Sequence, residues 1–147
     1  MELWELSARE LIRDTLARYN WSGDAMRLDD LAATFCEDGV LELRGGEPVR
    51  GRDAIVEFLS GAVASPNAVA HEAGVKRIVR HNVTNIRFTE ITPAQARVAC
   101  YFTVVTEIGL DHYGRYRDVL VPVGDQWLIQ HRFVSTDWHA PESTMAG

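Results

Sequence analysis

What most narrows the folds open to this chain is a change in the period of its apolar residues. Helical spacing governs the first third, and strand-like alternation governs everything after about residue 77. In the first part Ala8, Leu11, Ile12, Thr15, Leu16 and Tyr19 recur at helical spacing until Gly23 stops the run, and Ser7-Ala8-Arg9-Glu10 reads as a capping box. Leu28, Leu31, Ala32 and Phe35 mark a short second helix ending near Gly39, and Asp53 caps a third that carries Ala54, Ile55, Phe58, Leu59 and Ala62. Between these two, Val40 to Leu43 is a short strand.

A loop from about Ala64 to Val75, with the turn signal Ser65-Pro66-Asn67, leads into four strands. Their expected spans are Arg77 to Thr89, Ala96 to Gly109, Gly114 to Val123 and Gln126 to Ser135, and the tail from Thr136 is expected to fray. Turns fall at Thr92-Pro93, at Asp111-His112-Tyr113-Gly114 and at Gly124-Asp125, each short enough for an antiparallel hairpin. Helices first and a meander afterwards predict a single α+β domain over residues 1–147, with amphipathic helices on one face of a curved antiparallel sheet. Such curvature leaves a cone-shaped apolar cavity suited to a small ligand.

Composition removes several function classes. Fifteen basic against 21 acidic residues give a formal charge of -6, which disfavours the phosphate neutralisation behind nucleic-acid binding. Stretches such as Ala62-Val63-Ala64 fall short of the ~20 apolar residues of a membrane span, and Met1-Glu2-Leu3-Trp4-Glu5 is acidic where a secretory leader is basic, so a cytoplasmic location is expected. Cys36 and Cys100 lie in apolar surroundings without Cys-x-x-Cys spacing and read as buried thiols. No metal motif and no glycine-rich phosphate turn is present, so no cofactor is expected; Arg44-Gly45-Gly46-Glu47-Pro48 reads as a turn.

Asp24 followed by Asp30-Leu31 and Phe35, then Gly114-Arg115-Tyr116 with Asp118, then Gly124-Asp125 with Trp127 and Ile129, form a pattern over nearly the whole chain. It resembles the SnoaL-like branch of the nuclear-transport-factor-2-like superfamily. The resemblance implies a cone-shaped α+β barrel, a curved sheet wrapped on about three N-terminal helices. That superfamily includes dehydratases, isomerases, cyclases, epoxide hydrolases and proteins without catalysis. In motif the chain is most similar to scytalone dehydratase and hexachlorocyclohexane dehydrochlorinase, whose Asp/His pairs fall at Asp24 and His81; the second likeness extends to Thr84, Asn85 and Arg87. A further histidine of the dehydratase would fall near Thr106 to Ile108, where this chain has none. Ketosteroid isomerase is a partial match: its oxyanion-hole tyrosine and aspartate fall at Tyr19 and Asp118, while its base position falls at Leu43, beside Glu42.

The resemblance thus implies His81 as a base that takes a proton from carbon, with Asp24 orienting it and Tyr19 donating to a developing enolate. Read from the residues alone, Asp24 is first a helix cap and His81 a polar residue at a strand start, while Tyr19 is equally a packing residue. Asp118 shares the parity of Tyr116 and Leu120, so it either faces the ligand or pairs across the sheet with an arginine such as Arg132. His131 shares the parity of Trp127, Ile129 and Phe133 and is expected on the side they bury, either as a core residue or lining the cavity, where it would replace the missing histidine. Phe35, Phe102, Tyr116 and Trp127 complete the expected substrate lining, whereas His71, His112 and His139 read as loop or tail residues.

The expected activity is a cofactor-independent lyase or isomerase acting on a small apolar molecule that bears a carbonyl or leaving group. The alternatives are a binding or accessory protein of the same fold and a polyketide-type cyclase. An open sheet face carrying Tyr101, Val105, Val119 and Val121 favours a homodimer or higher homo-oligomer.

Overall fold

The computed structural model describes residues 1–61 and 78–145. Helix α1 (Leu3–Asp24) lies against a sheet formed by β1 (Phe35–Leu43), β2 (Val49–Arg50), β3 (Arg80–Ile91), β4 (Ala96–Thr106), β5 (Gly109–Val123) and β6 (Gln126–His139). A short helix α2 (Leu28–Ala32) separates α1 from β1, and residues 52–61 are helical. The sheet order is β2-β1-β6-β5-β4-β3, and it does not close. This is a mixed α+β fold with a curved, open, six-stranded sheet.

Every pairing is antiparallel except β1 with β6, which run parallel, so the sheet is mixed where an antiparallel one was expected. The parallel contact arises because Phe35 begins β1 instead of closing a second helix. The segment reads Phe35-Cys36-Glu37-Asp38-Gly39-Val40-Leu41, and Gly39 lies so close to Ile129 O that an added Cβ would sit 2.9 Å from it. The close approach lets β1 dock on β6, which overrides the short helical pattern.

The apolar stripe of α1 (Ala8, Ile12, Leu16, Tyr19) packs on the inner face of the sheet, where Val98, Cys100, Phe102, Val104, Tyr116, Leu120 and Ile129 are buried. That burial, rather than a capping box, specifies α1: the helix starts at Leu3, Ser7 lies inside it, and its N-cap residue Glu2 makes no side-chain cap bond. At the other end β6 continues to His139, and Ala140 N–H donates to Asp111 O at 2.7 Å, so this part of the tail is tied down where fraying was expected. The expected turn at Asp111 to Gly114 lies within β5, and the chain reverses instead at Glu107-Ile108. The expected loop from Ala64 to Val75 and His71 lie outside the described residues.

Five one-residue bulges interrupt the antiparallel ladders, and besides those at Thr89 in β3 and Asp137 in β6, three decide which site residues face inward. Asn85, with φ 55°, sits where β3 gains a residue on β4; Asp111 is extra in β5 against β4; Gln130 is extra in β6 against β5. Each bulge exchanges the inner and outer sets of residues beyond it.

Candidate functional site

Asp24 occupies the last turn of α1, where the unpaired carbonyls of a helix disfavour a second negative charge and no basic residue offsets it. The helix end is satisfied without it, since Ala25 N–H donates to Trp21 O and Met26 N–H to Gly23 O. Its carboxylate instead spans to β3. His81 backbone N–H donates to Oδ2 at 2.9 Å, and His81 Nδ1 meets Oδ1 at 2.6 Å. An ionised carboxylate accepts only, so Nδ1 carries the proton in this contact, and in the neutral imidazole the lone pair then lies on Nε2. Both side chains are largely buried, at 20% exposure for His81 and 13% for Asp24. A short hydrogen bond between half-desolvated groups holds the ring in one tautomer and one orientation.

His81 faces inward because it pairs with Val104, which points to the core. Below it, the Asn85 bulge moves the inward set from His81 and Val83 to Ile86 and Phe88, so no single parity of β3 is apolar throughout.

A second imidazole faces the first. His112, expected in a loop, is buried on β5 opposite the same Val104, and its ring centroid lies 6.3 Å from that of His81 at 85° between planes. Asp111 Oδ1 meets His112 Nδ1 at 2.7 Å. Asp111 is fully buried and also accepts from Ser143 Oγ at 2.6 Å and from Thr106 Oγ1 at 3.2 Å. Burial works to raise the Asp111 carboxyl, but the bonds from Ser143, His112 and Thr106 outweigh it and hold the group below its ordinary value. Burial pushes the His112 imidazole down, against the pull of Asp111 and with a further push from His81, so it stays neutral near pH 7. This site was missed because Asp111-His112-Tyr113-Gly114 carries turn residues, and the extra residue Asp111 resembles a reversal rather than a bulge. The available signal was the adjacency of an acid and a histidine near the position where the dehydratase histidine was absent.

Behind the two rings the interior continues as an aromatic stack. Phe102 lies 5.9 Å from His112 and 6.5 Å from His81, and Tyr116 stacks on Phe102 at 4.6 Å. Tyr116 in turn lies against the Arg132 guanidinium at 3.8 Å and Tyr19 at 4.2 Å, the two rings meeting edge-on 6.1 Å apart. Arg132 is fully buried, and its Nε and Nη2 each donate to one oxygen of Asp118 at 2.8 Å. Asp118 therefore spends both oxygens on Arg132, the cross-strand pairing that the sequence left as one of two readings. Two buried atoms have no partner among the described residues here, Arg132 Nη1 and Asn20 Oδ1. Burial also raises the Tyr19 hydroxyl, opposed by Arg132, so the phenol stays protonated as a donor.

The structure thus brings Asp24 and His81 into contact and gathers Tyr19, Tyr116, Asp118 and Phe35 at a second, deeper cluster that Phe102 links to the first. Phe35 is fully buried and meets Tyr19 edge-on at 6.0 Å. Trp127 sits elsewhere: its carbonyl accepts from Thr15, nine residues before Asp24 on α1, or roughly 13 Å along the axis at ~1.5 Å per residue. His131 also departs from its expected place. The Gln130 bulge turns Arg132 inward and His131 outward, where His131 Nε2 meets Glu42 Oε1 at 2.9 Å. Among the described residues no group of three or more His, Cys, Asp or Glu side chains is placed to hold a metal. No helix among them is long and apolar enough to cross a membrane.

Residues 4–133 match the family model described as SnoaL-like domain. Among solved structures, a candidate scytalone dehydratase from Novosphingobium aromaticivorans aligns with TM-score 0.74 at 23% identity, covering 100% of this chain and 98% of that one. An NTF2-like protein with a cystatin-like fold from the same organism aligns with TM-score 0.73 at 20% identity, covering 94% and 87%. A protein from Catenulispora acidiphila in complex with S-DNPA aligns with TM-score 0.72 at 26% identity, covering 88% and 92%. No curated protein matches the chain.

Proposed function

Because the chain belongs to the SnoaL-like domain family, we propose that Asp24 and His81 are the base of a cofactor-independent lyase or isomerase acting on a small, largely apolar molecule. The observation that carries this reading is the double contact of one carboxylate with the ring and the backbone of His81, which fixes the ring and, in the neutral imidazole, leaves the Nε2 lone pair to accept a proton. His81 Nε2 would take a proton from carbon beside a carbonyl, and Asp24 would stabilise the imidazolium formed. In an elimination the electron pair forms the new double bond as hydroxide or another group leaves, and His81 returns its proton to that group. In an isomerisation the proton returns to a different carbon.

His112 supplies a second fixed Nε2 that accepts from a substrate hydroxyl or from water. Its proximity also limits charge, since protonation of His81 pushes the His112 imidazole further down. Tyr19 with the Arg132–Asp118 pair would receive the polar end of the ligand, with Phe102, Tyr116 and Phe35 against its apolar body. The S-DNPA complex of the Catenulispora protein supports a small molecule as the ligand class.

The competing reading, a binding protein of the same fold, draws on the two unpartnered buried atoms Arg132 Nη1 and Asn20 Oδ1, which fit recognition as well as chemistry. A suitable probe is 3-hydroxy-1-tetralone, in which loss of a C2 proton and the C3 hydroxyl gives 1-naphthol, read by absorbance. If His81→Gln abolishes naphthol formation and spares probe affinity, the enzyme reading stands. If neither wild type nor variant releases naphthol or exchanges the C2 proton with D2O, while both bind, the binding reading replaces it.

A further inference from the structure

The outer face of the sheet carries a second arrangement of charge, separate from the interior pair. Arg44, Arg115, Arg117, Phe133 and Ser135 line a pocket of about 150 Å³ where the end of β1 meets β5 and β6. Strand register places Arg115 opposite Ser135 and Arg117 opposite Phe133. The Gln130 bulge that turns Arg132 inward is also what turns Phe133 and Ser135 to this side.

The polar atoms of this pocket are under-used. Arg44 Nη2 donates to Thr136 O at 3.0 Å, and Arg115 Nη2 lies 3.5 Å from Asp137 Oδ1 on the rim. Arg117 makes no hydrogen bond or ion pair among the described residues. Ser135, only 5% exposed, has an Oγ without a partner, and so does the buried Nε of Arg115. An orphaned buried donor is destabilising, and native structures seldom leave two side by side without a ligand or water to satisfy them. Most of the free groups here are donors, two guanidinium faces, an Nε–H and a hydroxyl, and the carboxylates nearby are engaged: Asp137 with Arg115, and Glu42, which pairs with Phe133 in the sheet, with His131. What satisfies such a set is an acceptor with several oxygens and a negative charge, and guanidinium forks match the oxygens of phosphate particularly well.

We propose that this pocket binds a phosphate-class oxyanion, with Arg115, Arg117 and Ser135 as its donors and Phe133 as an apolar floor. The site stands apart from the Asp24–His81 pair, so it holds or falls independently of the activity assigned to that pair. The test is a titration of ¹⁵N-labelled protein with inorganic phosphate against chloride at matched ionic strength, following the Arg115 Nε–H resonance. The expected result is a saturable shift, weakened about tenfold in Arg117→Gln, whose exposed side chain leaves melting unchanged, and weakened less in Ser135→Ala. Phenyl phosphate in a parallel titration separates sources: tighter binding than inorganic phosphate assigns an ester whose ring rests on Phe133, and equal binding assigns the free ion. A shift that chloride reproduces, a titration that Arg117→Gln leaves unaltered, or light scattering that finds two copies joined over the pocket with no phosphate bound would overturn the proposal.

Discussion

Replacing Asp118 by alanine tests the interior most severely. The substitution leaves the Arg132 guanidinium, with 0% exposure, without its counter-ion, and strands two donors that each held a 2.8 Å bond. Removing one partner of a buried pair costs about 3–5 kcal/mol, because the remaining charge is desolvated without compensation. The rings of Tyr19 and Tyr116 touch the guanidinium with or without Asp118, so they cancel in the difference and the whole of that range applies. At ~2–4 °C of melting temperature per kcal/mol for a domain of this size, the fall is roughly 6–20 °C. Urea and thermal unfolding followed by circular dichroism measure it, and an unchanged urea slope ensures that the unfolding event is the same. Asp118→Asn, which keeps one acceptor oxygen, should lie between wild type and alanine. The double variant Asp118→Leu/Arg132→Met removes both charges and should recover most of the loss, as buried pairs replaced by apolar residues usually do. A loss below about 1 kcal/mol in Asp118→Ala, or a double variant no better than the single, would refute a dry, charged pair at this position.

Asp24→Asn should erase the low-field proton resonance of His81 Nδ1–H and lower probe turnover by about 10²–10⁴-fold with little effect on probe affinity; an unaltered resonance would dissolve the pair. His131→Ala should leave turnover unchanged, because the ring pairs with Glu42 on the outer face, and should alter stability by no more than about 1 kcal/mol in a melting experiment. His112 holds its proton less tightly folded than unfolded, so the stability it supplies is full above about pH 6.5 and drains as pH falls through that value toward the lower folded one. Urea midpoints should therefore decline less from about pH 7 to about pH 5 in His112→Gln than in wild type. Burial pushes the Cys100 thiol up to about 12, so mass spectrometry after iodoacetamide at neutral pH should find Cys100 unmodified until the chain unfolds.

Much of the fold was legible because it rests on period and punctuation. The stripe Ala8, Ile12, Leu16 and Tyr19 is the buried face of α1, and the alternation Val98, Cys100, Phe102, Val104 is the buried face of β4. Both survive because each element meets one partner surface along its whole length. Phe35 broke the pattern: helical spacing joined it to Leu31, but burial against Tyr19 and pairing with Ile129 were worth more than another helical turn. Of the candidate site, Asp24 and His81 came from likeness to known families, and nothing local distinguished Asp24 from a helix cap. His112 was invisible because a bulge and a turn draw on the same residues.

By itself the sequence determined the order of helices and strands, the apolar faces of the regular elements and the stock of titratable side chains. Which of those side chains meet was decided by tertiary structure alone, through Asn85, Asp111 and Gln130. An extra residue in one strand reverses the side of every residue beyond it, and whether a residue is extra depends on its partner strand rather than on its neighbours in the chain. Gln130 thus sends Arg132 inward to Asp118 and His131 outward to Glu42, while Asp111 places His112 across from His81.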